Sequence, residues 1–135
     1  MTSHLTIRYK SLLKVQGIYY LITGIWPLVS MKTFLIVTGP KTDLWLVLVV
    51  GSLIFINGAT FLFSALFQKR NIAIALLAAA MALALAVLEI IFYVKGIISA
   101  VYLLDSGLEL CVFILWIVLF RINNEARFKK RINEL

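Results

Sequence analysis

Four stretches of this 135-residue chain are long and apolar enough to cross a lipid bilayer. They cover about residues 12–29, 44–67, 72–94 and 97–120, and these lengths of 18–24 residues fit the ~20 residues that a membrane-spanning helix needs. Hydrophobic residues make up 63% of the chain and charged residues 14%, which leaves too little polar surface for a water-soluble domain. The sequence therefore predicts an all-α polytopic membrane protein: a single domain built as an antiparallel bundle of four transmembrane helices.

The connection between the first two spans is longer than a helix hairpin requires. Residues 30–43 contain an apolar patch, Met31 and residues 34–37, that is too short to cross a membrane. Gly39 and Pro40 follow it and are typical of a turn. We expect a short interfacial segment here, lying against the bilayer surface or dipping into the bundle.

Basic residues are distributed unevenly between the connections. Ten of the 13 lysines and arginines lie in the first 14 residues, the 68–71 connection and the basic tail 121–135, and the other three are Lys32, Lys41 and Lys95. The positive-inside rule then predicts that both termini are cytoplasmic, in a bacterial inner membrane or a eukaryotic endomembrane. The net charge of +7 is explained by this topology and by attraction to anionic membrane lipids, so no nucleic-acid partner is expected.

Small residues recur on several predicted helix faces. Gly17 and Gly24 lie seven residues apart, as do Gly51 and Gly58, and a third face carries Ala75, Ala79, Ala82 and Ala86. Small residues allow helices to approach closely in a membrane. The glycine pairs fit contacts within one chain, in a homo-oligomer or with another membrane protein. The short 68–71 connection predicts that the second and third spans are antiparallel neighbours.

Three carboxyl groups lie inside the predicted spans. Asp105 and Glu109 are four residues apart and share one face of the last span, and Glu89 continues the alanine face of the third. A charge within the bilayer is costly and has to face protein or water. The predicted topology places all three acids in the outer half of the membrane, where they would line an acidic pocket.

Other polar and aromatic residues are candidates for the same pocket. Tyr102 precedes Asp105 by about one helical turn and Tyr93 follows Glu89 by one, so both tyrosines are placed to hydrogen-bond the acids. Trp26 is a candidate wall for an organic cation, and Asn57, near mid-depth, needs a hydrogen-bond partner. The candidate ligand-binding residues are Glu109, Asp105, Glu89, Tyr102, Asn57, Trp26 and Tyr93.

These residues leave three functions open. The first is binding or carriage of a small apolar or cationic molecule, a lipid among them. The second is acid/base catalysis of an isomerase type on a lipid-like substrate, and the third is a structural or accessory role in a larger membrane complex. With one histidine, His4, and one cysteine, Cys111, we expect neither a metal site nor a cofactor.

Overall fold

The computed structural model describes residues 2–133 and contains five helices within that range. They are α1 (Thr2–Val29), α2 (Met31–Thr38), α3 (Leu44–Phe67), α4 (Ile72–Val94) and α5 (Val101–Asn133). All but α2 contain a segment long and apolar enough to cross a membrane: Thr6–Val29, Leu44–Phe67, Ile72–Val94 and Val101–Ala126. The predicted all-α membrane bundle of four long helices is confirmed. Helix α1 starts well before residue 12, and α5 continues past residue 120.

The short helix α2 forms where the long connection predicted it. The Ser30 hydroxyl caps its first turn by accepting a hydrogen bond from the Thr33 amide at 3.4 Å. Gly39 ends the helix at a φ of +85°, a conformation that favours glycine, and its amide donates to the Leu35 carbonyl at 3.0 Å. The Trp26 indole of α1 donates to the Thr33 hydroxyl at 3.0 Å. Helix α2 is therefore fastened to the end of α1.

Helices α1 and α3 pack directly backbone against backbone. Gly24 faces Gly51 and Gly17 faces Gly58, an order that makes the two helices antiparallel. A β-carbon added at Gly58 would lie 2.6 Å from the Leu21 amide nitrogen and 2.8 Å from the Gly17 carbonyl oxygen. The seven-residue spacing keeps each glycine pair on one helix face. Both predicted glycine lines thus serve a contact within the chain.

Helix α4 packs on α5 through its alanine face. The buried residues of α4 are Ala75, Ala78, Ala79, Ala82 and Ala86. The other side of α1 meets this pair, since the Tyr9 hydroxyl donates to the Asn71 carbonyl at 3.0 Å and the Gln16 amide donates to the Ala78 carbonyl at 2.8 Å. Both contacts join residues 62 apart, so α1 and α4 run parallel.

The buried core lies at one end of the bundle. It combines residues 9–20 of α1, Phe61 and Ala65 of α3, residues 75–79 of α4 and Trp116 of α5, and its largest members are Trp116, Tyr20 and Phe61. In α3 and α4 these residues lie toward the end at which the two helices are connected. The opposite end of the bundle is less tightly filled.

Helices α3 and α4 are antiparallel but make only slight direct contact. The expectation that they would pack as neighbours because of their short connection was wrong. A short connection fixes only the two helix ends that it joins, whereas packing follows the small-residue faces. The glycines of α3 face α1 and the alanines of α4 face α5.

We expect Gly58→Ala to lower the free energy of unfolding by about 1–3 kcal/mol, because the added methyl group meets backbone atoms that cannot move aside. Gly107→Ala is the matched control, since a β-carbon there meets nothing within 4 Å; this substitution should leave stability unchanged or raise it by up to about 1 kcal/mol. Thermal unfolding in one mild detergent measures both. Equal melting temperatures for the two variants would show that the α1–α3 contact is not tight.

Candidate functional site

A half-enclosed cavity of about 470 Å³ lies between α1, α3, α4 and α5. It occupies the end of the bundle opposite the 68–71 connection, beyond the packed core. Phe34 of α2 and residues 41–43 contribute to its wall, so the segment between α1 and α3 covers part of it. Most of the wall is apolar. A volume of this size is typical of small-molecule sites, which span about 300–1,000 Å³.

Four of the predicted site residues converge on this cavity. Glu89 of α4 and Tyr102, Asp105 and Glu109 of α5 all line it. Glu109 lies deepest, with 2% of its surface exposed. The two acids on α5 share one face because they are one helical turn apart, and Glu89 reaches them from the neighbouring helix.

The other three predicted site residues do not line the cavity. Asn57 donates its side-chain amide to the Leu53 carbonyl of its own helix at 2.8 Å. Trp26 binds Thr33 and packs edge-on against Phe34, with ring centres 5.8 Å apart, so it holds α2 in place. Tyr93 lies about 100° around α4 from the lining residue Phe92 and is exposed.

Tyr19 and Tyr20 of α1 bind the two acids of α5. The Tyr19 hydroxyl donates to Asp105 Oδ1, and the Tyr20 hydroxyl donates to Glu109 Oε2 at 3.0 Å. Both tyrosines line the cavity. The predicted pocket included neither of them. The available signal was the polar stripe of the first span, in which Gln16, Tyr20 and Thr23 recur at helical spacing.

A buried chain of hydrogen bonds ends at Glu109. The Trp116 indole nitrogen donates to Gln16 Oε1 at 2.9 Å, and Gln16 Nε2 donates to the Tyr20 hydroxyl oxygen at 3.2 Å. Because an indole N–H can only donate, and because Gln16 Nε2 also donates to the Ala78 carbonyl at 2.8 Å, the orientation of the Gln16 amide is fixed. The Tyr20 hydroxyl hydrogen is then left to point at Glu109.

This direction gives the two oxygens of Glu109 different tasks. Oε2 receives a hydrogen bond from Tyr20, so it acts as an acceptor. Oε1 accepts no hydrogen bond from any residue that the structure describes. A proton or a ligand cation that binds Glu109 therefore binds at Oε1, on a residue that lines the cavity.

Glu89 adds a second carboxyl oxygen without a partner. Its Oε2 is buried and receives no hydrogen bond from residues 2–133. A side-chain hydrogen bond joins the Glu89 carboxyl group to Asp105, and Glu109 is the other acid that acts on it electrostatically. An unmatched polar atom in a low-dielectric interior is unfavourable, and a bound hydrogen-bond donor would relieve it.

Lys41 is the basic side chain that the described part of the chain contributes to the cavity wall. Its ammonium group donates to the Thr38 carbonyl at 2.9 Å and lies 5.0 Å from the centre of the Tyr102 ring. The same carbonyl accepts from the Ser99 hydroxyl at 3.0 Å. Burial lowers the pKa of Lys41 below its ordinary value. Lys41 thus fastens the covering segment and forms no ion pair with the cavity acids.

The arrangement can bind a cation or accept and return a proton. In residues 2–133, no three side chains of the metal-ligating types come together in a group that could hold a metal ion. No known family model, curated protein or solved structure matches the chain. The cavity and its chemistry are therefore the observations from which a function can be inferred.

We expect Tyr20→Phe to destabilise the protein by about 1–3 kcal/mol, because it leaves the buried Glu109 Oε2 without its donor. Tyr93→Phe removes the same hydroxyl group from an exposed tyrosine of α4 and should leave the melting temperature unchanged. Thermal unfolding of both variants in one detergent makes the comparison. A loss of stability in Tyr93→Phe equal to that in Tyr20→Phe would contradict the proposed chain.

Proposed function

We propose that this protein binds or carries a small molecule that is apolar and bears a cationic group, a lipid-like molecule among them, in the acidic cavity. The observation that carries the proposal is Glu109 Oε1: an acceptor on a carboxyl group that is 2% exposed, is held by Tyr20, and has no basic partner among the described residues.

The chemistry of the cavity supports this ligand class. Electrostatic attraction is stronger inside a protein than in water because the effective dielectric constant is lower. The described lysines and arginines make no ion pair with Glu89, Asp105 or Glu109, so no described basic residue competes with a ligand cation for these carboxyl groups. The apolar wall would hold the rest of the molecule, since small-molecule sites combine apolar walls with a few convergent polar groups.

We also propose that both termini are cytoplasmic, in a bacterial inner membrane or a eukaryotic endomembrane. Support comes from the ten basic residues at the two ends and in the 68–71 connection, against three elsewhere. The cavity then lies in the outer half of the membrane. Lipids surround the bundle, and a nucleic-acid partner is not needed to explain the charge.

The binding proposal predicts that a ligand copurifies with wild type and is lost from Glu109→Gln. The variant keeps an oxygen that can accept from Tyr20 but removes the charge. Removing one partner of a buried charge pair should weaken binding by at least about 30-fold. Native mass spectrometry of protein released from mild detergent measures the bound mass.

Glu125→Gln is the matched control, because it makes the same change on an exposed acid outside the cavity and should keep the ligand. Melting temperatures verify folding, and Glu109→Gln should melt at or above wild type if the acid is retained for function. An identical bound mass in wild type and Glu109→Gln would refute the site. If wild type carries no bound molecule and also binds no added amine, the proposed function is refuted.

Acid/base catalysis on a lipid-like substrate is the second candidate. It is favoured by two carboxyl groups that share one cavity but have different tyrosine partners, Tyr19 for Asp105 and Tyr20 for Glu109. Acid and base roles require groups in different environments. Incubating the protein with a lipid extract in deuterated water tests this candidate. If the protein is an isomerase, wild type should incorporate deuterium into the product lipid, and Glu109→Gln should incorporate none.

The topology predicts which cysteines react from outside the cell. In a Cys111→Ser background expressed in the inner membrane of a bacterium, Thr42→Cys should be labelled by a membrane-impermeant maleimide in intact cells. Asn124→Cys should be labelled only after the membrane is permeabilised. Both positions are exposed, and the background protein without a cysteine is the control. The reverse labelling pattern would place the cavity on the cytoplasmic side.

A further inference from the structure

We infer that the cavity opens sideways to the lipid between α3 and α4, and that its ligand is a single-chain amphiphile with a primary ammonium group, which enters from the bilayer. This inference rests on the proposed binding function and specifies its ligand class and its route.

Helices α3 and α4 are separated by a loosely packed seam. Helix α3 packs on α1, and α4 packs on α5, while α3 and α4 make only slight contact with each other. The backbones of α3 and α5 do not approach each other closely in residues 2–133. The close packing in the bundle is therefore that of α1 on α3 and of α4 on α5, and the seam between α3 and α4 is only loosely packed.

The cavity wall continues into this seam. Leu46 and Val50 of α3 and Leu88 and Phe92 of α4 all line the cavity. The same four side chains are exposed, by fractions from 38% for Phe92 to 49% for Leu88. They belong to the membrane-crossing segments of their helices, so the part of this surface that lies outside the cavity faces hydrocarbon.

The aqueous side of the cavity is covered by the segment between α1 and α3. Helix α2 and the residues after it lie over the cavity end of the bundle, where the Thr38 carbonyl accepts from both Lys41 and Ser99. Phe34 adds an apolar ring to this cover and packs against Trp26. A molecule dissolved in the bilayer reaches the open seam without displacing this segment, whereas one dissolved in water meets the cover first.

Two carboxyl oxygens in the cavity indicate which head group the ligand would carry. Glu109 Oε1 and Glu89 Oε2 both lack hydrogen-bond donors among the described residues. A primary ammonium group has three N–H donors and can bind both oxygens, while a quaternary ammonium group has none. Both carboxyl groups can also accept hydrogen bonds from its positively charged N–H groups. The chemistry of the site therefore favours an amine over a choline-type head group.

The size and the apolar wall of the cavity indicate how the alkyl tail of the ligand would be held. A cavity of about 470 Å³ with a mainly apolar wall accommodates a head group and part of one alkyl chain. The remainder of the chain would lie in the seam between α3 and α4, against Val50 and Leu88. There it stays in an apolar environment, so the amine alone leaves the membrane interface.

The test uses radiolabelled decylamine and the full-length protein in nanodiscs, with empty nanodiscs subtracted. Wild type should bind decylamine saturably and at least about tenfold more tightly than decyltrimethylammonium, because charge-assisted hydrogen bonds are lost with the quaternary head. Val50→Trp and Leu88→Trp, which fill the seam from its two sides, should slow decylamine association by about tenfold or more, as expected when binding requires a rearrangement.

Leu53→Trp and Val87→Trp are the matched controls, because they add the same ring at exposed positions of α3 and α4 that do not line the cavity. These variants should associate at the wild-type rate. Seam variants that also bind at the wild-type rate would overturn the lateral opening, and equal affinity for decyltrimethylammonium would overturn the amine head group.

The failures of the two proposals are distinguishable. If wild type copurifies with another molecule that Glu109→Gln loses, yet does not bind decylamine saturably, the amine amphiphile is wrong and the binding function stands. If wild type carries no molecule and binds no decylamine, both are wrong. Melting temperatures of the seam variants, compared with their controls, show whether any slower association reflects misfolding.

Discussion

The architecture depends on the backbone contact between α1 and α3. Four glycines, two on each helix, remove the side chains that would otherwise separate the pair. This contact holds α3 against one side of α1, while the other side of α1 carries Gln16, Tyr19 and Tyr20 toward α4 and α5. Helix α1 therefore separates α3 from the α4–α5 pair. The space left between α3 and that pair becomes the cavity.

The two ends of the bundle consequently differ. At the end that contains the 68–71 connection, Trp116, Tyr20 and Phe61 fill the space between helices, and the polar groups of Gln16 are matched by Trp116, Ala78 and Tyr20. A polar group in a membrane interior needs such partners. At the other end the same chain of donors stops at Glu109, and two carboxyl oxygens there have no described partner. The packed end thus supports a site that is open and polar.

Much of this fold was predictable, because hydrophobic length and small-residue spacing are local properties of the sequence. They gave the four long helices, the short helix α2 and the alanine face of α4. Which faces meet is not local, and therefore the α3–α4 packing was predicted incorrectly. For the same reason the sequence did not show that Asn57, Trp26 and Tyr93 lie outside the cavity wall. Tyr19 is the sharpest case: adjacent to Tyr20 in sequence, it binds a different acid of α5, a pairing that only the crossing of two helices determines.

The two oxygens of a single carboxyl group in the cavity make different contacts. Acids that served only to join helices would pair with basic residues or bind donors through both oxygens. Here Lys41 is committed to the Thr38 carbonyl, and the tyrosines bind one oxygen each of Asp105 and Glu109. One oxygen of Glu109 therefore anchors α5 to α1, while the other accepts no hydrogen bond from the described residues. Replacing the glutamate with glutamine separates these roles, because an amide oxygen still accepts from Tyr20 but no longer attracts a cation.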